Sequence, residues 1–289
     1  MSALSYWRLT NPPIVVLLTF TALAAGIIGG GLRRPLLLLD VVVAIAVCSM
    51  AARTLTNYVD RGMDARMERT RGRPLPAGDV PPQHALAFGL GLTSVGLASA
   101  YPLGWLYVVV IAFGLVDNIV VYNVLTKRKT HWNIVLAAPS GGVPALVGYA
   151  SMTDRVDLTA LLLMALVVLW TPIHIWSLAI RFREDYSRAH VPMLPVTLGA
   201  TAGIRWIAAT SMLLAGFTVA LPFVPGSPFG LLTLVTAVVM GAVLLVFSAA
   251  LMRYPTLVNS WRLFKFTSPY LAVLFALMAL DVAVVRPPW

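Results

Sequence analysis

Long apolar segments dominate this sequence, and nine of them are long enough to cross a lipid bilayer as helices. A spanning helix needs about 20 mostly apolar residues. The nine candidates are 12–31, 36–56, 84–101, 104–122, 133–152, 158–180, 203–224, 229–251 and 268–285. Only 11% of the 289 residues are charged, whereas about a quarter are charged in a typical soluble domain. We therefore expect an all-α integral membrane protein with nine transmembrane helices and a single domain over 1–289, and we exclude a water-soluble globule.

The Lys and Arg residues predict the orientation of these helices. Cytoplasmic loops of membrane proteins carry an excess of Lys and Arg. With a cytoplasmic N-terminus, sixteen basic residues fall on the cytoplasmic side and four, namely Arg33, Arg34, Arg155 and Arg286, fall on the other side. This bias predicts that the N-terminus is cytoplasmic and that Trp289 lies outside. It also accounts for the net charge of +10 without a nucleic-acid partner.

Three polar loops are expected on the cytoplasmic face, and the first begins with a set of oxygen-bearing side chains. The loops are 57–83, 123–132 and 181–202. Asn57, Asp60 and Asp64 follow the spacing i, i+3, i+7, which places an amide and two carboxylates on one helical face. In a low-dielectric setting neighbouring carboxylates stay ionised only when a cation neutralises them, and oxygen ligands of this kind suit Mg²⁺. The alternative is a solvated, salt-bridged loop whose charges only set the topology.

Basic side chains downstream of this set supply donors for phosphate oxygens. Arg69 and Arg73 follow in the same loop, and the run Lys127-Arg128-Lys129 follows Tyr122 in the second loop. Guanidinium groups bind phosphate in a fork-shaped, two-point geometry. With the metal ligands they predict a clamp for a diphosphate group. The alternative for the Lys-Arg-Lys run is that it only reflects the excess of Lys and Arg in cytoplasmic loops. The Tyr122 phenol either contacts a phosphate or anchors its helix at the membrane interface.

The third loop and the helix before it add an acidic pair and a histidine. Glu184 and Asp185 lie on the same side of the membrane as the first acidic set, which predicts metal ligands on the opposite side of the diphosphate. His174 lies inside an apolar segment beside Pro172, where a histidine is costly unless it is paired or ligating. Its alternatives are an interhelical hydrogen-bond donor, a ligand to a metal-bearing substrate and a proton donor. Asp117, deep in the fourth segment, has no partner that the sequence identifies.

Four ordered motifs between residues 10 and 200 carry a family resemblance. They are Asn57-x-x-Asp60-x-x-x-Asp64 with Met67-Glu68-Arg69-Thr70-x-x-Arg73-Pro74-Leu75; Tyr122 with Lys127-Arg128-x-Thr130-x-x-Asn133-Ile134-Val135; Trp170-Thr171-Pro172-x-His174-x-Trp176-x-Leu178-Ala179; and Glu184-Asp185-Tyr186-x-x-Ala189-x-x-Pro192-Met193-Leu194-Pro195. In this order the motifs resemble those of the UbiA superfamily of intramembrane prenyltransferases. Within it they most resemble the protohaem IX farnesyltransferase (haem O synthase) subfamily.

This resemblance implies a fold, a reaction and its substrates. The fold would be nine transmembrane helices around a central cavity, in a cell-membrane protein with its active-site loops in the cytoplasm. The reaction would transfer farnesyl from farnesyl diphosphate to a vinyl group of haem b, with water addition, and would use Mg²⁺. Haem A synthase or a terminal oxidase would be assembly partners. The implied residues are Asn57, Asp60, Asp64 and Asp185 for catalysis; Asn57, Asp60, Asp64, Glu184 and Asp185 for the metal; Arg69, Arg73, Tyr122, Lys127 and Arg128 for the diphosphate; and His174 for haem.

Several residues depart from the pattern of the family and keep other functions open. Gly62 stands where the family often has a third acid, and Asn11-Pro12-Pro13 lacks two positive charges that usually precede the first helix. One alternative is a UbiA-type prenyltransferase acting on an aromatic quinone precursor or a lipid. An alternative of another class is a non-enzymatic transporter or haem-handling scaffold. A transporter is expected to distribute polar residues near the bilayer midplane, whereas here the acids concentrate at one end of the helices.

Overall fold

The computed structural model describes residues 2–285, and within them the chain forms helices and no strand. The α-helices are α1 (Ala3–Leu9), α2 (Pro12–Ile28), α3 (Pro35–Asp64), α4 (Pro82–Ser99), α5 (Trp105–Val116), α6 (Asn133–Thr153), α7 (Leu158–Arg181), α8 (Arg183–Arg188), α9 (Leu194–Thr197), α10 (Ala200–Ala220), α11 (Leu231–Arg253) and α12 (Leu257–Leu280). Two π-helical segments, Asp117–Thr126 and Asp281–Val285, directly continue α5 and α12. The all-α prediction is confirmed. Arg286 and Trp289, which we predicted on the outer side, lie outside the described residues.

Eight helices of the described chain are long and apolar enough to span a membrane, and the number of spans rises to nine if a bent pair of helices counts as one span. The pair is α1 and α2, which meet at 56°. The bend lies at Asn11, whose φ of 52° is left-handed, and Pro12 starts α2 without an N–H group. The last span begins at Leu257 and not at 268 as predicted, because the Thr256 side chain caps the helix and the mixed polar and apolar segment 259–265 continues it.

Helices α2, α6, α7 and α12 form a closed group at the centre of the bundle. α2 packs against α6 and α12, and α7 packs against the same two helices. α3 packs on α2 and carries α4 on its other side, whereas α10 and α11 pack beside α7 and α12. Small residues allow the closest approach, since a Cβ atom on Gly148 of α6 would overlap the carbonyl oxygen of Ala22 in α2.

Two acidic side chains inside the bundle accept hydrogen bonds from backbone N–H groups. Asp281 accepts from the N–H groups of Gly230 (2.6 Å) and Thr233 (3.0 Å), so it caps the start of α11. Asp117 accepts from the N–H of Ser140 at 3.1 Å. Ser140 lies in the part of α6 that contains two prolines, which disturb the regular hydrogen bonding of a helix. The partner of Asp117 is therefore a backbone group, which no sequence pattern marks.

We expect Gly148→Ala to destabilise the protein because the added methyl group would force α2 and α6 apart. Overpacking of this kind costs about 1–3 kcal/mol, and it should lower the melting temperature of the purified protein in detergent. Gly216→Ala is the matched control, since a Cβ atom at Gly216 meets nothing within 4 Å. An unchanged melting temperature for Gly148→Ala would contradict the close contact between the two helices.

Candidate functional site

The three polar loops predicted from the sequence meet at one end of the bundle. Lys127 of the second loop bonds to Asp60 at the end of α3, and Asp185 of the third loop bonds to the backbone of Glu68 and Arg69 in the first. The first contact joins two residues that are 67 positions apart in the chain, and the other two contacts join residues that are 117 and 116 positions apart. The loops therefore form one site.

Asn57, Asp60 and Asp64 lie on one face of the last turns of α3, as their spacing predicts. All three are buried, with relative exposures of 3%, 1% and 2%. Burial of two carboxylates in a low-dielectric region requires neutralisation. The chain supplies a separate cation to each of them, Lys127 to Asp60 and Arg73 to Asp64.

The Asp60–Lys127 pair is the most enclosed part of this arrangement. The Lys127 ammonium group donates to Asp60 Oδ2 and to Asn123 Oδ1, the latter at 3.2 Å, and it lies 5.1 Å from the centre of the Tyr122 ring. Asn123 in turn donates to the Thr56 hydroxyl at 3.1 Å. The π-helical segment thus presents Tyr122 and Asn123 to the same cation. The second oxygen of Asp60, Oδ1, is buried and has no hydrogen-bond partner within residues 2–285.

Arg73 joins the other two oxygen-bearing side chains. Its guanidinium group donates to Asp64 Oδ2 at 2.8 Å and to Asn57 Oδ1 at 3.3 Å. The Asn57 amide donates to the carbonyl oxygen of Leu9 at 2.7 Å, which ties α1 to α3. Thr70 donates to the Asp64 carbonyl oxygen at 3.0 Å and folds the loop back over the end of α3.

Asp185 and Glu184, predicted as a pair, occupy different environments. Asp185 is buried, and its two oxygens accept the N–H groups of Glu68 and Arg69, each at 3.2 Å. Glu184 is exposed, so the structure does not bring it to the first acidic set. Through these two hydrogen bonds, Asp185 holds the first loop in place in this structure. Burial raises the pKa of the adjacent Tyr186 phenol, an effect that Arg69 opposes.

A cleft of 490 Å³ opens beside these groups, and we name it the first cleft. Its charged lining is four arginines and one glutamate, an excess suited to a multiply charged anion. The Arg69 guanidinium group also lies 5.4 Å from the centre of the Phe182 ring. The lining residues are Arg8, Asn11, Pro12, Asn57, Glu68, Arg69, Arg71, Gly72, Arg73 and Pro74. Tyr122, Lys127 and Arg128, predicted at the same anion, are not among them, and Arg128 lines a different cleft.

The residues at the end of α3 have the donor chemistry that Mg²⁺ requires. Asn57, Asp60 and Asp64 offer only oxygen, and Asp60 Oδ1 is a buried carboxylate oxygen without a partner in the described chain. Across residues 2–285, no three His, Cys, Asp or Glu side chains lie close enough to form a metal cluster by themselves. A bound cation would therefore complete its shell with the Asn57 amide, water and ligand oxygens.

His174 lies between two aromatic rings in the interior of α7. Its imidazole stacks on Trp170 at 4.5 Å and on Phe264 of α12 at 4.4 Å. Nδ1 lies 2.7 Å from the Thr267 hydroxyl oxygen, and that hydroxyl donates its own proton to the Phe264 carbonyl oxygen at 2.7 Å. The hydrogen-bond pattern therefore places the ring proton on Nδ1 and leaves the lone pair on Nε2.

Sequence reasoning missed several residues that build this end of the molecule. Arg8 and Arg71 line the first cleft, Asn123 holds Lys127, and Thr267 orients His174. Asn123 alone carried a signal, because it precedes Lys127 by one helical turn. Thr267 lies 93 residues from His174, so only the packing of α7 against α12 reveals the pair.

Comparisons with known proteins agree with the all-helical fold and identify relatives of this chain. Residues 16–276 match the UbiA prenyltransferase family. The protoheme IX farnesyltransferase of Desulforudis audaxviator is 43% identical over 288 residues, which cover 97% of this chain and 89% of that protein. A solved structure of digeranylgeranylglyceryl phosphate synthase has a TM-score of 0.78 at 16% identity, covering 96% of this chain and 98% of that one. A UbiA homologue from Archaeoglobus fulgidus bound to DMAPP and Mg²⁺ has a TM-score of 0.64 at 14% identity, covering 94% and 99%.

We expect Asp185→Asn to loosen the first loop, because an amide oxygen cannot replace both charged acceptors of the Glu68 and Arg69 N–H groups. Hydrogen bonds to a charged group contribute about 1.5–3 kcal/mol each, so amide exchange at Glu68 and Arg69 should accelerate about 10-fold or more. Hydrogen–deuterium exchange of the purified protein measures this rate.

Glu184→Gln is the matched control for that experiment, since it removes the neighbouring, exposed carboxylate. Equal protection of residues 68 and 69 in both variants would show that Asp185 does not hold the loop.

Proposed function

Because this chain belongs to the UbiA prenyltransferase family, we propose that it transfers farnesyl from farnesyl diphosphate to a vinyl group of haem b, with addition of water, to give haem O and diphosphate. The observation that carries this proposal is the burial of Asn57, Asp60 and Asp64 with their paired cations beside an arginine-lined cleft. The 43% identity to a protoheme IX farnesyltransferase supports haem as the acceptor.

The diphosphate group would lie in the first cleft. Arg69 and Arg73, predicted from the sequence, are joined there by Arg8 and Arg71. Guanidinium forks bind phosphate oxygens at two points, and such charge-assisted bonds are about twice as strong as neutral ones. Lys127 does not line the cleft but is paired with Asp60 and lies beside the Tyr122 ring, and it would add positive charge near the leaving group as that group becomes more negative.

Asn57, Asp60 and Asp64 would hold Mg²⁺ between the protein and the diphosphate. When bound, Mg²⁺ neutralises the negative charge that builds on the departing diphosphate. The UbiA homologue from Archaeoglobus fulgidus that is bound to DMAPP and Mg²⁺ supports a divalent metal for this reaction. In this proposal Asp185 is a positioning residue, because its carboxylate accepts the backbone N–H of Arg69 and so holds Arg69 in place. Glu184 is exposed and does not enter the proposed metal site.

The proposed reaction breaks the allylic C–O bond of farnesyl diphosphate, and the bonding electron pair leaves with the diphosphate. The π electrons of a haem vinyl group then form the new C–C bond with the farnesyl cation. Water adds to the cation on the former vinyl group and loses a proton, which leaves a hydroxyl group. The protein contributes mainly by electrostatic stabilisation of the leaving group in a preorganised site and by keeping water from the first cation.

The geometry of His174 supports an iron-containing acceptor. A neutral imidazole whose Nδ1–H is bonded to another group presents Nε2 as a metal ligand, and such outer partners fix the ring of most metal-bound histidines. Thr267 is that partner here, and the stacked rings of Trp170 and Phe264 prevent rotation of the imidazole. We propose that His174 contacts the haem iron through Nε2 and that Thr267 positions it.

The distribution of basic residues supports a cytoplasmic site in a multi-pass protein of the cell membrane. The three loops that form the site carry eleven of the 21 Lys and Arg residues, and positively charged loops stay on the cytoplasmic side. The N-terminus, which contributes Arg8 to the first cleft, would lie on that same side.

The direct test of this function is the product formed from labelled farnesyl diphosphate by the purified protein in vesicles with haem b and Mg²⁺. We expect the label to appear in a haem that is more hydrophobic than haem b on chromatography. Label in an aromatic or lipid product, with haem unchanged, would favour the alternative acceptor and refute the haem assignment.

The same assay tests the acidic residues. We expect Asp60→Asn and Asp64→Asn each to slow diphosphate release by about 10²-fold or more, the usual cost of removing a group that stabilises developing charge. Asp79→Asn is the matched control, because Asp79 is an exposed carboxylate in the same loop. Turnover at the normal rate in either buried variant, with an unchanged melting temperature, would refute the assignment.

Thr267→Val should weaken haem binding and change the Soret band, since valine keeps the shape of threonine but cannot accept the Nδ1–H bond. Loss of such an outer partner weakens metal binding about 10–100-fold. Thr267→Ser keeps the hydroxyl and should behave as wild type. An identical spectrum and affinity for Thr267→Val would show that this hydrogen bond does not position a haem ligand.

A further inference from the structure

A second cleft lies on a different face of the end of α3, and nothing in the proposed reaction uses it. Its volume is 280 Å³. Val59, Gly62 and Met63 follow the spacing i, i+3, i+4 and so share one helical face, which is roughly opposite the face of Asn57, Asp60 and Asp64. The residues that line the second cleft are Val59, Arg61, Gly62, Met63, Arg66, Arg128 and Ala189.

The second cleft contains three arginines and no acidic residue in its lining. Arg61 donates to the Tyr58 carbonyl oxygen at 2.7 Å and lies 4.5 Å from the centre of the Tyr58 ring. The guanidinium groups of Arg66 and Arg128 are exposed and have no hydrogen bond or ion pair to any part of the chain that the structure describes. In the first cleft, by contrast, Arg73 is paired with Asp64. The second cleft therefore has positive charge that the protein itself does not balance.

Two neighbouring residues serve the two clefts separately. Lys127 is buried and its ammonium group is paired with Asp60, whereas Arg128 is exposed and lines the second cleft. The Lys127 backbone is fixed by the Asn133 amide, which donates to its carbonyl oxygen at 3.1 Å. The turn after the π-helical segment thus holds the two cations in different directions, which explains why Arg128 does not reach the first cleft.

The floor of the second cleft is open at Gly62. A Cβ atom built on Gly62 meets nothing within 4 Å, so there is free space at this position of the cleft, and glycine adds no charge to it. Val59, Met63 and Ala189 give it apolar walls beside the arginines. A ligand that fits such a site has a compact oxyanion for the guanidinium forks.

We propose that the second cleft is a phosphate-group site, separate from the first cleft, whose anion is held mainly by Arg66 and Arg128. Free diphosphate and the phosphate of an anionic phospholipid headgroup share this chemistry. Both are available to a site at the end of membrane-spanning helices. The site does not depend on which acceptor receives the prenyl group.

The test uses the full-length protein in detergent with two probes, inorganic diphosphate by calorimetry and phosphatidylglycerol by native mass spectrometry. The variants are Arg66→Gln/Arg128→Gln, which removes the cations, and Gly62→Asp, which places a carboxylate into the open floor. We expect both to lose one diphosphate site, or one retained phosphatidylglycerol, with an affinity loss of about 10-fold or more. Loss with only one probe identifies the source of the phosphate.

The matched control is Arg253→Gln/Lys265→Gln, which removes two exposed cations away from both clefts. It should bind both probes as wild type does, and all variants should keep the wild-type melting temperature. Unchanged binding of both probes by either cleft variant would overturn the proposal. An equal loss in the control would overturn it as well, because the effect would then follow net charge and not the cleft.

Discussion

The ion pair between Asp60 and Lys127 holds together the end of the bundle where all three polar loops meet. Both side chains are buried, and removal of one partner from a buried pair typically costs about 3–5 kcal/mol because the other charge is left without compensation. The pair joins α3 to the turn that follows the π-helical segment, and Asn123 and Tyr122 enclose its cation. The pair thus ties the second loop to the end of α3, while Asp185 holds the first loop and the Asn133 amide fixes the turn that carries Arg128.

The same charges make the site ready for an anion with its metal. Asp60 and Asp64 are paired with Lys127 and Arg73, so the chain itself supplies a counter-charge to each buried carboxylate. In the proposed function, a divalent cation would share Asp60 through Oδ1, which has no hydrogen-bond partner among the described residues, and an incoming phosphate would give Arg73 a new acceptor. Binding would thus exchange partners between groups that are already in place, which reduces the reorganisation needed at the reaction.

The sequence predicted the parts of this structure that depend on local periodicity. Hydropathy located the membrane spans, and the i, i+3, i+7 spacing placed Asn57, Asp60 and Asp64 on one buried face. It did not predict features that depend on packing between distant helices or on backbone donors. Asp185 binds backbone N–H groups that no side-chain pattern marks, and the separation of Lys127 from Arg128 depends on the direction of one turn.

The two halves of the proposed reaction differ in their use of the last helix. The diphosphate side uses residues from Arg8 to Asp185, and the four motifs lie in this region, including the motif that contains His174 of the acceptor side. The acceptor side pairs His174 of α7 with Phe264 and Thr267 of α12, and α12 carries none of those motifs. The four motifs therefore include the proposed acceptor residue His174 but not its partners on α12. In the proposed function, the residues that select the acceptor of this protein should be sought where α12 packs against α7, because the Thr267 hydroxyl is the partner of His174 Nδ1 there.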